Sequence, residues 1–281
     1  MSKFFNETHK TSRWSRRNLG TDELDVKEVL GRIKLGSAAN GEIARTRLEG
    51  CRKVQLAPGR QAPLVLSRDM AAHRALEAYR GLRTRLMRAQ SKSGLRSVAI
   101  TSSQPGEGKT LTVMNLGLCY ADLPDQPVLI IDADLRTRGL THLLGRPAGP
   151  GLAEVLAGEM SPEQAIVETD RANLFALPAG ASLVSPPELF NGARWQEVLG
   201  WCSETFKLVL VDTPPVVPLA DFELISPACD GIVAVVRPNQ TRRDTLQKIA
   251  GALDRNKLLG FVLNATETDA REYDYYGQQP S

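Results

Sequence analysis

From residue 97 onward, short runs of apolar residues alternate with longer segments of mixed apolar and polar residues. The short runs are rich in Val, Ile and Leu, as expected of strands that are buried on both faces of a parallel sheet. This order predicts an α/β fold in which a mostly parallel sheet is flanked by helices on both faces. Helices are predicted at Lys109–Asp122, Gly192–Phe206 and Thr241–Arg255. Strands are predicted at Ser97–Thr101, Val128–Asp132, Leu174–Leu177, Leu208–Asp212, Gly231–Val236 and Leu258–Asn264.

The chain before this pattern has two parts. Residues 1–66 show no sustained periodicity, and we interpret them as a poorly ordered leader and linker with one short amphipathic helix at Asp22–Leu35, which could dock on a partner. An arginine-rich helix is predicted from an N-cap at Ser67 to about Gln90. The predicted organisation is a leader (1–66), a folded domain (67–264) and a flexible polar tail (265–281).

Charge and composition narrow the range of functions. The net charge is +3, but residues 1–66 carry 13 Lys and Arg against 7 Asp and Glu, so the rest of the chain is slightly acidic. Nucleic-acid binders usually concentrate basic charge on the folded domain, so direct nucleic-acid binding is not expected. The basic leader is either a solvated segment or a contact for an acidic partner or lipid surface.

The sequence also bears on the compartment. No run approaches the roughly 18 apolar residues of a membrane helix, and the start of the chain lacks the apolar stretch of a secretory signal. The four cysteines are far apart and form no CxxC pair, which suits reduced thiols. We therefore expect a cytoplasmic protein without a transmembrane segment, which meets the membrane only through a partner.

A candidate phosphate-binding loop, TSSQPGEGKT, follows the first of these strands and opens a helix. Small residues in such a loop let backbone N–H groups turn towards phosphate oxygens, with the positive end of the helix dipole behind them. Lys109 is expected to reach the β- and γ-phosphates, and the Thr110 hydroxyl to ligate Mg²⁺. The strict pattern begins with Gly, where this chain has Ser103. The predicted nucleotide contacts are Ser103, Gln104, Pro105, Gly106, Glu107, Gly108, Lys109, Thr110 and Leu111.

Three aspartates follow buried strands. Asp132 ends one strand and Asp134 lies two residues beyond it, while Asp212 ends another. The carboxyl ends of parallel strands face the ligand crevice, where an aspartate can hold Mg²⁺ directly or through water. Together with the loop, these residues predict a P-loop NTPase that binds Mg-ATP.

The ordered motifs resemble those of the bacterial tyrosine autokinases of capsular and exopolysaccharide systems, relatives of the partitioning and division-site ATPases. The resemblance covers about residues 67–281. SSQPGEGKT looks like the family's Walker A loop, LIIDADLR like its second Walker A-type motif, and LVLVDTPP like its Walker B motif.

Three further features favour the kinase branch. Partitioning ATPases usually carry an extra lysine early in the loop, where this chain has Gln104. The E-x-x-R-x-x-R spacing on the helix before the first strand resembles the family's oligomerisation motif, since residues three apart lie on one helix face. The residues of that motif are Glu77, Arg80 and Arg83, and the tail carries a short tyrosine cluster of Tyr273, Tyr275 and Tyr276, like the family's phosphorylated C-terminus.

The resemblance implies a mechanism. ATP would phosphorylate tail tyrosines of a neighbouring subunit in a ring-like homo-oligomer, with Asp132 as the base and Asp134, Asp212 and Thr110 around Mg²⁺. The division of roles between Asp132 and Asp134 stays open, because both lie in one short loop. Arg136 is expected to support the site or its interface. At the base end, Asn264 either reads adenine or caps the strand, and Arg237 and Pro238 are expected to flank the ring.

The resemblance also implies a partner and leaves two alternatives. The partner is a membrane polysaccharide chain-length regulator whose cytosolic segment activates the kinase. One alternative is an ATPase switch of the partitioning or positioning class without tyrosine chemistry. The other is a nucleotide-sensing scaffold with weak catalysis.

Overall fold

The structure is a computed structural model of the 281-residue chain and describes residues 42–44, 46–56, 70–145, 149–216 and 220–265. The described residues contain an eight-stranded sheet in the order β1-β4-β5-β3-β6-β2-β7-β8. All neighbouring strands run parallel except β4 and β5, which are antiparallel. The strands are β1 (Arg52–Val54), β2 (Ser97–Ser102), β3 (Val128–Asp132), β4 (Val167–Thr169), β5 (Leu174–Leu177), β6 (Leu208–Asp212), β7 (Gly231–Val236) and β8 (Leu258–Leu263).

Helices cover both faces of this sheet. The long ones in the described part are α1 (Met70–Ser93), α2 (Lys109–Ala121), α7 (Ala193–Thr205) and α9 (Arg243–Ala252). The short helices are α3 (Gly139–Leu143), α4 (Leu152–Leu156), α5 (Pro162–Ala165), α6 (Pro186–Phe190) and α8 (Asp221–Ile225), followed by a 3₁₀ turn at Ser226–Ala228.

Alternate residues of the central strands belong to two separate apolar cores, one on each face of the sheet. In β6, Val209 and Val211 join the core that contains Trp195 of α7, whereas Leu208 and Leu210 join the core beneath α1 and α2. Every residue of β2, β3, β6 and β7 is buried. Burial on both faces explains the continuous Val, Ile and Leu runs, because no position of these strands faces water. The predicted α/β fold is therefore confirmed.

The sheet register places the functional loops side by side. Strand β6 lies between β3 and β2, and Asp132 at the end of β3 is the register partner of Asp212 at the end of β6. On its other side, Asp212 is opposite Ile100 of β2, the strand that leads into the phosphate loop. Three strand ends that are far apart in sequence thus meet at one point of the carboxyl edge.

Some predicted boundaries change. Residues 1–66 were assigned to a leader, but Arg52–Val54 forms a strand that pairs with β4, and Ala44 and Leu48 are buried against the sheet. The arginine-rich helix begins two residues later than predicted and ends three residues later, at Ser93. The predicted helix Asp22–Leu35 and the tyrosine tail lie outside the described residues. Within the described ranges, no helix has both the length and the apolar character needed to cross a bilayer.

Candidate active site

The phosphate loop connects the buried strand β2 to helix α2. Gly106 and Gly108 have φ angles of 85° and 96°, in the left-handed region that an L side chain rarely adopts. Gly108 is the N-cap of the 13-residue helix α2, so the loop ends at a helix N-terminus. The unpaired backbone N–H groups and the positive end of the dipole at a helix N-terminus favour the binding of an anion there.

Lys109 lies among the three aspartates. Its Nζ is 2.9 Å from Asp134 Oδ2 and 3.8 Å from Asp212 Oδ1. Burial works to lower the pKa of Lys109, but the carboxylates of Asp212 and Asp134 outweigh it and raise that pKa. For Asp134, burial is likewise outweighed, by Lys109 and by bonds from Thr137, and the pKa of Asp134 is lowered. The pair is therefore ionised, and Lys109 is the first residue of α2, directly after the phosphate loop.

Asp132 has a different environment. Its Oδ2 accepts hydrogen bonds from the backbone N–H and the hydroxyl of Thr141, each 2.7 Å long. Its Oδ1 is buried and has no hydrogen-bond partner in the described part of the chain. Burial raises the pKa of Asp132, opposed by the Thr141 bonds. Burial also raises the pKa of Asp212, opposed by Lys109. Burial therefore disfavours the ionised form of both carboxyls unless a cation lies beside them.

These aspartates fit a magnesium ion. Both carboxylate oxygens of Asp212 are buried without hydrogen-bond partners among the described residues, a costly arrangement that a bound cation relieves. The Thr110 hydroxyl is 3.4 Å from Lys109 Nζ and completes an oxygen-rich set. The described residues contain no His, Cys, Asp and Glu group that would form a complete metal cage. Mg²⁺ usually takes only one or two protein carboxylates and completes its shell with phosphate and water.

The residues predicted to contact the adenine base lie next to the phosphate loop. Asn264 follows β8, and its Nδ2 donates to the Glu107 carbonyl at 2.8 Å. A Cβ placed on Gly108 would lie 1.9 Å from that nitrogen, so Asn264 closes directly over the loop. Arg237 follows β7 and is exposed, and its backbone N–H donates to the Thr241 hydroxyl at 3.0 Å. Adenine recognition by Asn264 and Arg237 stays a prediction.

The other predicted site residues are placed as follows. Arg136 forms a two-bond ion pair with the buried Asp221, at 2.6 and 3.1 Å, which anchors the loop after Asp134 to α8. Glu77 and Arg80 are exposed and paired at 2.6 Å on α1. Arg83 is turned inward and donates to the Cys119 carbonyl in the last turn of α2. The tyrosines at 273, 275 and 276 lie outside the described residues.

Sequence reasoning missed Thr141, Asp221 and Thr241, which act through hydrogen bonds to predicted residues. Threonine and aspartate at the start of a short helix or after a strand are commonplace, so no pattern in the sequence distinguished them.

The close approach of Asn264 to Gly108 gives a testable prediction. Gly108→Ala should lower the free energy of unfolding by about 2 to 3 kcal/mol, because it adds left-handed strain and also displaces the amide bonded to Glu107. Gly158→Ala is the matched control, since Gly158 has a φ of 78° with open space around it, and should cost only about 1 kcal/mol.

Urea unfolding of both variants measures the difference. Adding Asn264→Ala to Gly108→Ala should lower the free energy of unfolding little further, because the clashing side chain is then gone. Equal losses for Gly108→Ala and Gly158→Ala would show that Asn264 does not close on the loop.

Comparison with known proteins identifies similar chains. A family profile described as an AAA domain matches residues 95–255. Tyrosine-protein kinase YwqD of Bacillus subtilis (strain 168) is 34% identical over 205 residues, which cover 72% of this chain and 86% of YwqD. Tyrosine-protein kinase wzc of Salmonella typhimurium is 31% identical over 206 residues, but they cover only 28% of wzc.

Solved structures show the same likeness. The kinase domain of Escherichia coli tyrosine kinase ETK superposes with a TM-score of 0.63 at 28% identity, covering 69% of this chain and 78% of that one. The septum site-determining protein MinD of Pyrococcus horikoshii OT3, complexed with Mg-ADP, gives a TM-score of 0.54 at 26% identity, covering 63% of this chain and 72% of that one.

Proposed function

This chain belongs to the bacterial tyrosine-protein kinases, and we propose that it transfers the γ-phosphoryl group of ATP to tyrosines at the C-terminus of a second copy of itself. The observation that carries the proposal is the meeting of Lys109, Asp132, Asp134 and Asp212 at one buried point beside the phosphate loop. The assignment of the acceptor tyrosines rests on the family resemblance and on the sequence.

The proposed roles follow from the contacts. Lys109 leaves Asp134 for the β- and γ-phosphates when ATP enters, and stabilises the charge on the transferred group together with the loop amides. Thr110, Asp134 and Asp212 would hold Mg²⁺, whose charge neutralises the phosphates when it is bound. Lys109 and Asp134 form an ion pair before ATP binds. Nucleotide binding replaces it with a contact between Lys109 and phosphate and a contact between Asp134 and Mg²⁺.

Asp132 is the proposed base. A phenol has a pKa of about 10 and is mostly protonated at neutral pH. In the proposed step the tyrosine oxygen bonds to the γ-phosphorus, the bond to the β-bridging oxygen breaks, and the phenolic proton passes to Asp132 Oδ1. That oxygen has no protein partner in the described structure, whereas Asp134 is engaged by Lys109 and Thr137. The contrast favours Asp132 over Asp134 for the proton.

A cavity beside the loop that follows Asp134 offers a route for the acceptor segment. A cavity of about 200 Å³ is lined by Leu135, Arg136 and Arg138 after the aspartates and by Gly180 and Ser182 after β5. Arg136 is paired with Asp221, but Arg138 would suit the acidic residues that surround the tail tyrosines, Glu272 and Asp274. We propose that the acceptor segment approaches Asp132 through this cavity.

The oligomer and the partner are also proposals. Glu77 and Arg80 are exposed on α1 and are available to a neighbouring subunit, whereas Arg83 is used within the fold, so the proposed contact rests on the first two. The family resemblance supports a cytoplasmic, ring-like assembly. It also supports activation by the cytosolic segment of a membrane chain-length regulator in exopolysaccharide or capsule synthesis.

Labelled ATP tests the function directly. The purified protein is incubated with γ-labelled ATP and Mg²⁺, and the label is mapped by mass spectrometry. Label on Tyr273, Tyr275 or Tyr276 supports the autokinase, provided that it also appears on a Lys109→Met chain mixed with wild type, since only transfer between copies can label an inactive one. Phosphate release without labelled protein would instead indicate an ATPase switch, and binding without either product a scaffold.

A further inference from the structure

Glu107 is a buried carboxylate inside the phosphate loop that has no part in the mechanism above. It is fully buried, and its two oxygens receive four donors. Oε2 accepts from the backbone N–H groups of Ser103 and Gln104, at 2.6 and 3.1 Å. Oε1 accepts from the hydroxyl of Ser103 at 2.5 Å and from the hydroxyl of Thr241. All of the roughly four lone-pair sites of a carboxylate are therefore used.

This arrangement explains the departure from the strict loop pattern at Ser103. A glycine there would lack the hydroxyl that donates to Glu107. The N–H groups of Ser103 and Gln104 are turned inward to Glu107, and Pro105 has no N–H group. The part of the loop that can donate to phosphate therefore begins at Gly106, and Glu107 fixes where it begins.

Glu107 also joins the loop to the segment at the base end. Thr241 lies beyond β7, just before α9, and its hydroxyl accepts the backbone N–H of Arg237 while donating to Glu107. The Glu107 carbonyl accepts from Asn264 beyond β8. Gln104 Nε2 adds a bond of 3.4 Å to the Gln240 carbonyl. The segments after β7 and β8 thus converge on one residue of the loop.

We propose that Glu107 and Thr241 are positioning residues that couple the base-end segment to the phosphate cradle, so that the cradle holds its phosphate-binding shape only while their hydrogen bond is formed. The inference rests on the proposed binding of ATP and adds a determinant of its affinity. Hydrogen bonds to charged groups contribute more than neutral ones, about 1.5 to 3 kcal/mol. A loss of that size corresponds to a tenfold or greater loss of affinity.

The test uses a ligand that cannot touch the base-end segment. Calorimetric titration of Mg²⁺-ATP and of Mg²⁺-tripolyphosphate, which has no base or sugar, is carried out on the full chain. Thr241→Val should weaken both ligands by about tenfold. Thr241→Ser, which keeps the hydroxyl, should bind like wild type. Thr245→Val, at a half-buried position on α9, is the matched control and should change neither affinity.

Glu107→Gln completes a double-mutant cycle. The amide keeps an oxygen for the two backbone N–H groups but loses the charge, so this variant should bind both ligands more weakly. Adding Thr241→Val to it should cost less than twofold more, because the partner of that hydroxyl is already altered. Full additivity would overturn the coupling.

An unchanged affinity of Thr241→Val for tripolyphosphate would also overturn the proposed coupling, since Thr241 would then affect only the binding of the adenine base. Melting temperatures of all variants are compared, and if Thr241→Val is unfolded, Thr241→Ser and Glu107→Gln still decide the question. Phosphotransfer is not read in this experiment, so the coupling can fail while the kinase proposal stands. Failure of wild type to bind ATP would overturn both.

Discussion

Lys109→Met should reduce phosphotransfer at least 100-fold, because it removes the only cation in the described site that lies among the three aspartates. Removing one preorganised donor from a site where charge develops typically costs about 10² to 10³ in rate. Label transfer from γ-labelled ATP under single-turnover conditions measures the loss. Lys92→Met is the matched control, since Lys92 is exposed at the end of α1 and should leave the rate unchanged. A Lys109→Met enzyme within about threefold of wild type would exclude this lysine from catalysis.

The same variant should be less stable, with a definite pH dependence. Without Lys109, three buried carboxyls face one another, so the folded-state pKa values of Asp132 and Asp212 rise further above the ordinary value of about 3.9. Where a folded-state pKa is raised, the folded state binds more protons than the unfolded one, and stability falls as pH rises through that interval. The stability deficit of Lys109→Met against wild type should therefore be larger at about pH 8 than at about pH 5. Urea midpoints without Mg²⁺ at both pH values measure it, and a deficit that is equal or larger at the lower pH would contradict it.

The parts of the fold that the sequence predicted are those in which one residue type dominates a whole element. The runs at Val128–Asp132 and Leu208–Asp212 match the observed strands residue for residue. Because parallel strands align their carboxyl ends, the meeting of Asp132 with Asp212 followed from the pattern alone, and the register shows them opposite each other.

The parts that the sequence did not predict are short or depend on distant partners. Helices of four or five residues, such as Gly139–Leu143, are shorter than any window in which helical periodicity is measurable. Strand Arg52–Val54 has only three residues, two of them charged, and exists because β4 offers a free edge. Its presence was decided by pairing across more than 100 residues, which no local pattern encodes.

Arg83 shows how tertiary contacts change the interpretation of a motif. Its spacing from Glu77 and Arg80 suggested three charges on one exposed helix face. In the structure, α1 packs against α2, and the last carbonyls of a helix lack partners within it. Arg83 supplies a donor to one of these, at Cys119, so its charge serves the contact between helices while the other two charges stay on the surface.

Asp132→Asn should lower kcat by at least 100-fold while changing ATP affinity less than threefold, since a positioned base contributes about 10² to 10⁴. Asparagine keeps the size of the side chain, and its oxygen can still accept both bonds from Thr141. The proposed ligands of Mg²⁺, Asp134 and Asp212, are untouched. Single-turnover transfer and calorimetric titration of ATP separate the two quantities. A loss of affinity that accounts for the whole loss of rate would mean that Asp132 binds the metal and is not the base.

The stability of the same variant separates loss of a base from loss of folding. Asp132 raises the pKa of Asp212, so the two charges repel each other across neighbouring strands. Replacing one of them with a neutral isostere removes that repulsion, and Asp132→Asn should melt at or above the wild-type temperature in the absence of Mg²⁺. Asp134→Asn provides the contrast, because it breaks the 2.9 Å pair with Lys109 and should melt lower. An inactive Asp132→Asn that is also destabilised would remove the evidence for a base, whereas an inactive and more stable variant that binds ATP like wild type has lost only chemistry.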